Sequence, residues 1–364
     1  MEPEFLGQWQ GKDQMKRRIS VFLNGMPEFE NLFPVAARLQ ARGRVEPVCY
    51  TPLEATWREP RLRQLIRQSG LSVTVRPNRM FKAFPGHYLA RADANLTMLD
   101  PLLDNGPNRP RSKEILARKI PSILVQHGVI QRHIAVRVDM DDVDYWSDRL
   151  LVFESLMDTN VLSGATQQKL RVVGFIKPVL FPPQPPCAAL PDHDKAILLC
   201  HSFRWEGRYQ DADVDRFFEL VKAYAARHPR HLLIVRGHRG KVRKNYRSQT
   251  RDLAQFPNIV VSHAYKGPLK GMSMTDVLGL SDFCISSASS AVLDSIYMGK
   301  PTAVYENDHP VFRDLPEIVD MESMERFIAE PDMASMANMA THYGIVEHNI
   351  DRACAEIESC LLGA

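Results

Sequence analysis

Apolar positions along the chain fall into short blocks separated by polar turns marked with glycine and proline. ISVFLN (19–24), VEPVCYT (45–51), LSVTVR (71–76), PSILVQHGV (121–129), RLLVF (149–153) and LRVVG (170–174) have the length and composition of buried strands. Between them the spacing becomes helical. Phe33, Val35, Ala36 and Leu39 predict a helix ending near Gly43, an Arg-rich helix follows near 60–69, and another starts at about 155. Helical periodicity is also read around 87–104, broken by NGPNRPR at 105–111. The second half repeats the alternation: strands at 196–201, 231–238, 258–262, 282–285 and 302–306, and helices at 214–228, 241–254, 273–280 and 289–298. A last helix is predicted from about 345 to 362. Strands alternating with helices of this length imply parallel sheets covered on both faces.

The two halves meet at FIKPVLFPPQPPCAALPDHDK (175–195), whose six prolines can continue neither helix nor sheet. With 364 residues there is chain for two cores, since one core rarely grows beyond about 250–300 residues. The expected division is a polar tail (1–18), a Rossmann-like domain (19–175), a Pro-rich linker (176–195), a second Rossmann-like domain (196–344) and a C-terminal helix (345–364) packing back on the first. The fold class is therefore α/β, two Rossmann-like domains facing across a cleft. Ligands of such sheets bind outside the carboxyl ends of the strands.

Composition narrows the function. A net charge of +3 and the lack of any recognition motif argue against nucleic acid as a partner. Apolar runs are too short to span a bilayer, the first 18 residues have no signal-peptide core, and six cysteines without CxxC spacing read as reduced thiols. These features place the protein in the cytoplasm. Residues 58–82 carry seven Arg or Lys against one acid, Glu59. This is either a solvated helix face or a surface for an anionic acceptor or the inner face of a membrane.

The chemistry concentrates in SDFCISSASSAVLDSIYMGKPTAVY (281–305). A strand ends in serines and enters a helix, so free backbone N–H groups and the positive end of the helix dipole point outward together. Ser286, Ser287, Ser289 and Ser290 with Asp294 form a candidate phosphate turn; the plain alternative is a serine N-cap. Two further strand ends lie on the same side, carrying Arg204 in HSFR and Arg236 with His238 in RGHR. Guanidinium forks and a helix end together suit a phosphate or diphosphate. In the first half, His127 and Gly128 end a buried strand, and Gly25 follows the first one. A histidine there suits the removal of a proton from an acceptor hydroxyl, since its ordinary pKa of about 6.5 matches base work at neutral pH. DMDDVD (139–144) reads as a solvated acidic loop, so no metal and no cofactor are expected; His309 is a secondary candidate on the rim.

HSFR (201–204), RGHR (236–239), SSASS (286–290) with Asp294 and Lys300-Pro301, and QHGV (126–129) resemble, in order and spacing, motifs of the CDP-glycerol glycerophosphotransferase family, the teichoic acid polymerases and primases. The resemblance spans roughly 120–310. It implies a GT-B fold and metal-independent transfer of a glycosyl or glycerophosphate group from a nucleotide-activated donor, CDP-, CMP- or UDP-linked. The acceptor implied is a hydroxyl of a polysaccharide or lipid-linked surface polymer, with His127 in the base position. A similar serine turn and R-x-H strand end occur in UDP-N-acetylglucosamine 2-epimerases. An epimerase would need carboxylates near His127, for which Glu28, Glu30 and Glu154 are the candidates. A non-catalytic nucleotide-sugar-binding protein is the remaining alternative.

Overall fold

The computed structural model describes residues 16–104, 106, 108–129, 131, 143–154, 162–202, 210–237, 252–262, 266–307 and 309–363. The first sheet holds β1 (Arg17–Phe22), β2 (Val45–Pro52), β3 (Val73–Arg76), β4 (Ala94–Thr97), β5 (Ser122–Val125), β6 (Arg149–Val152) and β7 (Leu170–Val172), in the order β3-β2-β1-β4-β5-β6-β7. The second holds β8 (Lys195–His201), β9 (His231–Gly237), β10 (Ile259–Val261), β11 (Phe283–Ser287), β12 (Thr302–Tyr305) and β13 (Glu317–Ile318), in the order β10-β9-β8-β11-β12-β13. Every pairing between these strands is parallel. This is the two-domain Rossmann-like architecture. Runs such as Ser122–Val125 and Phe283–Ser287 are buried along their whole length because helices cover both faces. In each sheet the strand order reverses once, between β1 and β4 and between β8 and β11. Those two points leave crevices at the carboxyl ends.

One stretch departs from its sequence reading. The helical periodicity of 87–104 gives way to β4, after a one-turn helix, Pro85–Leu89. Ala94, Asn95 and Leu96 are buried between β1 and β5, and a strand of four residues is too short to show its own alternation beside Leu89, Leu99 and Leu102. Leu99 and Leu102 are exposed. The break at 105–111 instead opens a helix, Arg109–Ala117, with Pro110 in its first turn, where a missing N–H costs nothing. β13 and the helices Met321–Ala329 and Met333–Tyr343 had no counterpart in the sequence reading. The helices expected from 155 and over 241–254 fall mainly outside the described residues.

The helix Val346–Leu362 lies on the helix Phe33–Arg42 of the first domain. Arg38 pairs with Glu347 and Asp351, each at 2.7 Å, and Arg42 with the buried Glu358 at 2.9 Å. Ile350, Ala353 and Ile357 join Val35 and Leu39 in one apolar cluster. Farther round, Arg61 bonds Asp276 of the second domain at 2.9 Å, and the linker N–H of Gln184 adds a bond of 3.0 Å to the same carboxylate. Burial opposes ionisation of Asp276, but Arg61 and Ser273 outweigh it and hold its pKa at about 2. The other cations of the basic stretch, Arg58, Arg63, Arg67, Arg76, Arg79 and Lys82, are exposed. Among the described residues no helix is long and apolar enough to cross a membrane.

Where the chain leaves the first sheet, Gly174 has φ +89°, and a Cβ there would lie 2.5 Å from Asn349 Nδ2. Asn349 is fully buried and donates to the carbonyls of Phe175 at 2.8 Å and Tyr343 at 2.7 Å. Gly174→Ala is therefore expected to cost about 3 kcal/mol, combining left-handed strain with overpacking. Thermal unfolding should show a drop of several degrees; an unchanged midpoint would refute the close approach.

Candidate active site at the two switch points

In the second domain β8 and β11 end side by side. The Ser202 N–H donates to Ser287 Oγ at 2.9 Å, and the two hydroxyls lie 3.1 Å apart. Ser286 and Ser287 are completely buried; Ser286 Oγ donates to the Ser287 carbonyl at 2.7 Å and lies 3.1 Å from Ser289 Oγ. Their hydroxyls build the turn from within. Ser289, in extended backbone, is the N-cap of the helix Ser290–Tyr297, its Oγ accepting from Ala291 N at 3.3 Å. The cap reading and the anion reading thus describe one object. The serine fixes the helix start, and the first-turn N–H groups with the dipole supply the positive potential.

The first domain meets this turn directly. Val129 N donates to Ser290 Oγ at 3.1 Å, joining the segment after β5 to the helix start. His127 is exposed two residues earlier, and its backbone N–H donates to Gln131 Oε1 at 3.0 Å. Gln126 is buried and works in both directions: Nε2 donates to the Gly128 carbonyl at 2.8 Å, and Oε1 accepts from Phe153 N at 2.7 Å. The loop carrying His127 is thereby fixed on β6 and on the second domain. Neither glutamine stood out in the sequence, where Gln126 read as one more strand residue.

Below this junction lies a largely, though not fully, buried ion cluster. Lys177 Nζ is 2.8 Å from Asp294 Oδ2 and 3.0 Å from Glu30 Oε2. Burial alone would lower the pKa of Lys177, but the two carboxylates hold it above the ordinary lysine value. Burial, with Glu30 nearby, pushes Asp294 up against the opposing pull of Lys177. The carboxylate of Asp294 is thus committed to an interdomain contact. Val292, Leu293 and Ile296 of the same helix pack into the apolar cluster of the first domain.

Arg236 is buried, with Nη1 2.7 Å from Ser262 Oγ and Nη2 3.2 Å from the Met272 carbonyl. It braces the ends of β9 and β10. Arg204 and His238 lie outside the described residues, as does most of the acidic loop 139–144. His309 caps a short turn, Nδ1 accepting from Val311 N at 3.3 Å. Among the described residues no group of three or more His, Cys, Asp or Glu could hold a metal ion.

At the first domain's switch point, Asn24 and Gly25 follow β1. Gly25 caps the helix Met26–Asn31 in extended backbone, and a Cβ there would meet nothing nearer than Glu28 Oε2 at 3.8 Å. Glu28 accepts from Asn24 Nδ2 at 3.1 Å, and burial raises its pKa. Arg111 reaches the same point from the helix Arg109–Ala117. Of the other carboxylates considered, Glu30 is held by Lys177, and the buried Glu154 lies 2.7 Å from His342 Nε2.

No protein-family model matches the chain, and no curated protein matches it. Solved structures do. A candidate UDP-N-acetylglucosamine 2-epimerase of Listeria monocytogenes superposes with a TM-score of 0.64 at 13% identity, over 96% of this chain and 97% of that one. MnaA of S. aureus in complex with UDP gives 0.62 at 13% identity, over 95% and 97%. The wall teichoic acid polymerase TagF gives 0.52 at 11%, over 96% and 88%. What is shared at these identities is the fold, two Rossmann-like domains of the GT-B type.

Proposed function

We propose that this chain is an enzyme acting on a nucleotide-activated sugar or polyol. The second domain would hold the nucleotide donor by its phosphates at the 286–290 turn, and the first would hold the acceptor. The observation that carries this reading is the bond from Val129 to Ser290, which sets the His127 loop against the helix start best suited to a phosphate. In the transfer reading, His127 takes the proton of an acceptor hydroxyl while the helix dipole and first-turn amides stabilise charge on the departing phosphate. Engagement of two of the three candidate carboxylates, Glu30 with Lys177 and Glu154 with His342, favours transfer over epimerisation, which needs acid and base groups on one sugar. A CDP- or CMP-linked donor follows from the motif resemblance. The likeness to an S. aureus protein solved with UDP supports a UDP-linked one equally.

The epimerase reading is supported by Glu28, a half-buried carboxyl with raised pKa at the first domain's switch point. Incubation with UDP-N-acetylglucosamine in D₂O separates the two. Deuterium entering the sugar ring would establish epimerisation, and release of free nucleotide only in the presence of an acceptor would establish transfer.

The donor site has its own test. Aspartate caps a helix about as well as serine, so Ser289→Asp should keep the fold while placing a negative charge where the phosphate belongs. In a thermal-shift panel of CMP, CDP, CDP-glycerol, UDP and GDP, the wild type should respond to one base class. Ser289→Asp should weaken that binding about tenfold or more, with its own midpoint unchanged. No response of the wild type to any nucleotide would refute the donor site.

A further inference from the structure

Arg111 has no role in the reading so far, and the described residues around it do not account for its charge. Its guanidinium lies over the Phe22 ring, 4.1 Å from the centroid. Its hydrogen bond to Asn24 is a long one, Nη1 to Oδ1 at 3.4 Å. Among the described residues no carboxylate forms an ion pair with it. The two nearest acids are occupied: Glu28 by Asn24, and Asp104 by Ser112 Oγ at 2.6 Å and Gly106 N at 2.8 Å. Burial, only partly offset by these two acids, lowers the Arg111 pKa to about 10.

Arg111 is half-buried, and withdrawing part of a cation from water with no carboxylate against it is costly. Such a cost is tolerated where a ligand supplies the missing charge. Position agrees with this. Asn24 follows β1 at the strand-order reversal, and Arg111 arrives there from the helix preceding β5. Beside it is a recess lined by Asn78, Phe81, Lys82, Asn108, Pro110 and Arg111. The recess admits about 10 Å³, room for one water, so a ligand group would sit at its mouth, with the exposed Lys82 on the rim.

We propose that Arg111 recognises an oxyanion, a phosphate or a carboxylate, carried by the substrate that occupies the first domain. The proposal deepens the reading above, in which that domain holds the acceptor, and it makes the acceptor an anionic molecule. A guanidinium held over an aromatic ring presents its remaining N–H groups as a fork, which matches two oxygens of either group. Asn24 sets the fork's orientation.

The test uses the full chain with glycerol 3-phosphate and glucuronate as probes, and glycerol and glucose as their uncharged counterparts, by titration calorimetry. Every titration is repeated in Ser289→Asp, so that anions bound at the serine turn are not counted. One of the two anions should bind saturably where its neutral counterpart does not, and which one does identifies the source. Arg111→Met, which keeps an unbranched apolar side chain and removes the charge, should weaken that binding at least tenfold. It should leave the nucleotide response intact, and without ligand it should unfold no earlier than the wild type. A purely structural arginine would do the reverse, lowering the midpoint and leaving anion binding unchanged. Should Arg111→Met fail to fold, Arg111→Lys decides. Binding weakened severalfold but still selective for the anion supports recognition, and binding equal to the wild type overturns it. Equal binding of charged and neutral probes by the wild type also overturns it. A wild type that binds the anion but no nucleotide would sink the donor assignment and leave this one standing.

Discussion

His127→Asn is expected to lower turnover about a hundred- to ten-thousand-fold while leaving nucleotide affinity within about twofold of the wild type, the range for loss of a positioned general base. The expectation comes from where the imidazole is attached. Its backbone N–H is held by Gln131, the next carbonyl by Gln126, and Val129 by Ser290 of the other domain. The loop therefore stays in place when the ring is changed. Asparagine keeps a polar side chain there but cannot accept and pass on a proton at neutral pH. The readout is nucleotide release from whichever donor the thermal-shift panel selects, with and without acceptor, alongside the binding titration. Turnover within a few fold of the wild type would remove His127 from the mechanism. Loss of turnover and nucleotide binding together would mean that it holds the donor. Gln126→Ala offers a contrast, since it leaves the imidazole and loosens its support; it should lower turnover less than His127→Asn does.

Much of the architecture was legible because parallel strands are buried on both faces and write themselves as unbroken apolar runs. Ile197–Leu199, Leu232–Val235 and Phe283–Ile285 are such runs, and all are strands. β4 was not, since four residues inside a leucine-spaced segment carry no period of their own. The serine turn could be read from its place between a strand and an amphipathic helix. What the serines do could not. The contact of Ser290 with Val129 spans 161 positions and pairs a side chain with a backbone N–H, leaving no trace in spacing. Arg236 shows the limit of reading a strand end as a rim. Register places it beside Cys200, and its fork turns inward to Ser262 and the Met272 carbonyl. Lys177 and Arg111 were hidden for a related reason. Each sits in a proline-marked stretch that reads as connector, while its partners come from distant segments.

Lys177→Met should be the most damaging single change to stability, at about 3–5 kcal/mol, because it leaves Glu30 and Asp294 facing each other without their cation. Methionine approximates the lysine stem, so the loss is electrostatic and not a cavity. The damage should depend on pH. In the wild type Lys177 has a raised pKa, so its contribution is complete below the unfolded lysine value of about 10.5 and fades only as pH rises through the folded one. It is therefore intact at both pH 5 and pH 7.5. In the variant Asp294 loses the group that opposed burial, and its already raised pKa moves further above the unfolded value of about 4. Between those values the folded state binds more protons than the unfolded one, so stability falls as pH rises. The deficit in unfolding midpoint should be largest near pH 7.5 and shrink towards pH 5. Adding Asp294→Asn should restore part of it at pH 7.5, since one buried charge is then removed, and should flatten the pH dependence. A variant as stable as the wild type at pH 7.5, or a deficit that does not change with pH, would mean that the cluster does not carry the interdomain contact. Because Asp294 lies one turn into the helix that starts at Ser290, loosening the cluster should also disturb the register between the serine turn and the His127 loop. Turnover in Lys177→Met should accordingly fall even at temperatures where the variant is fully folded.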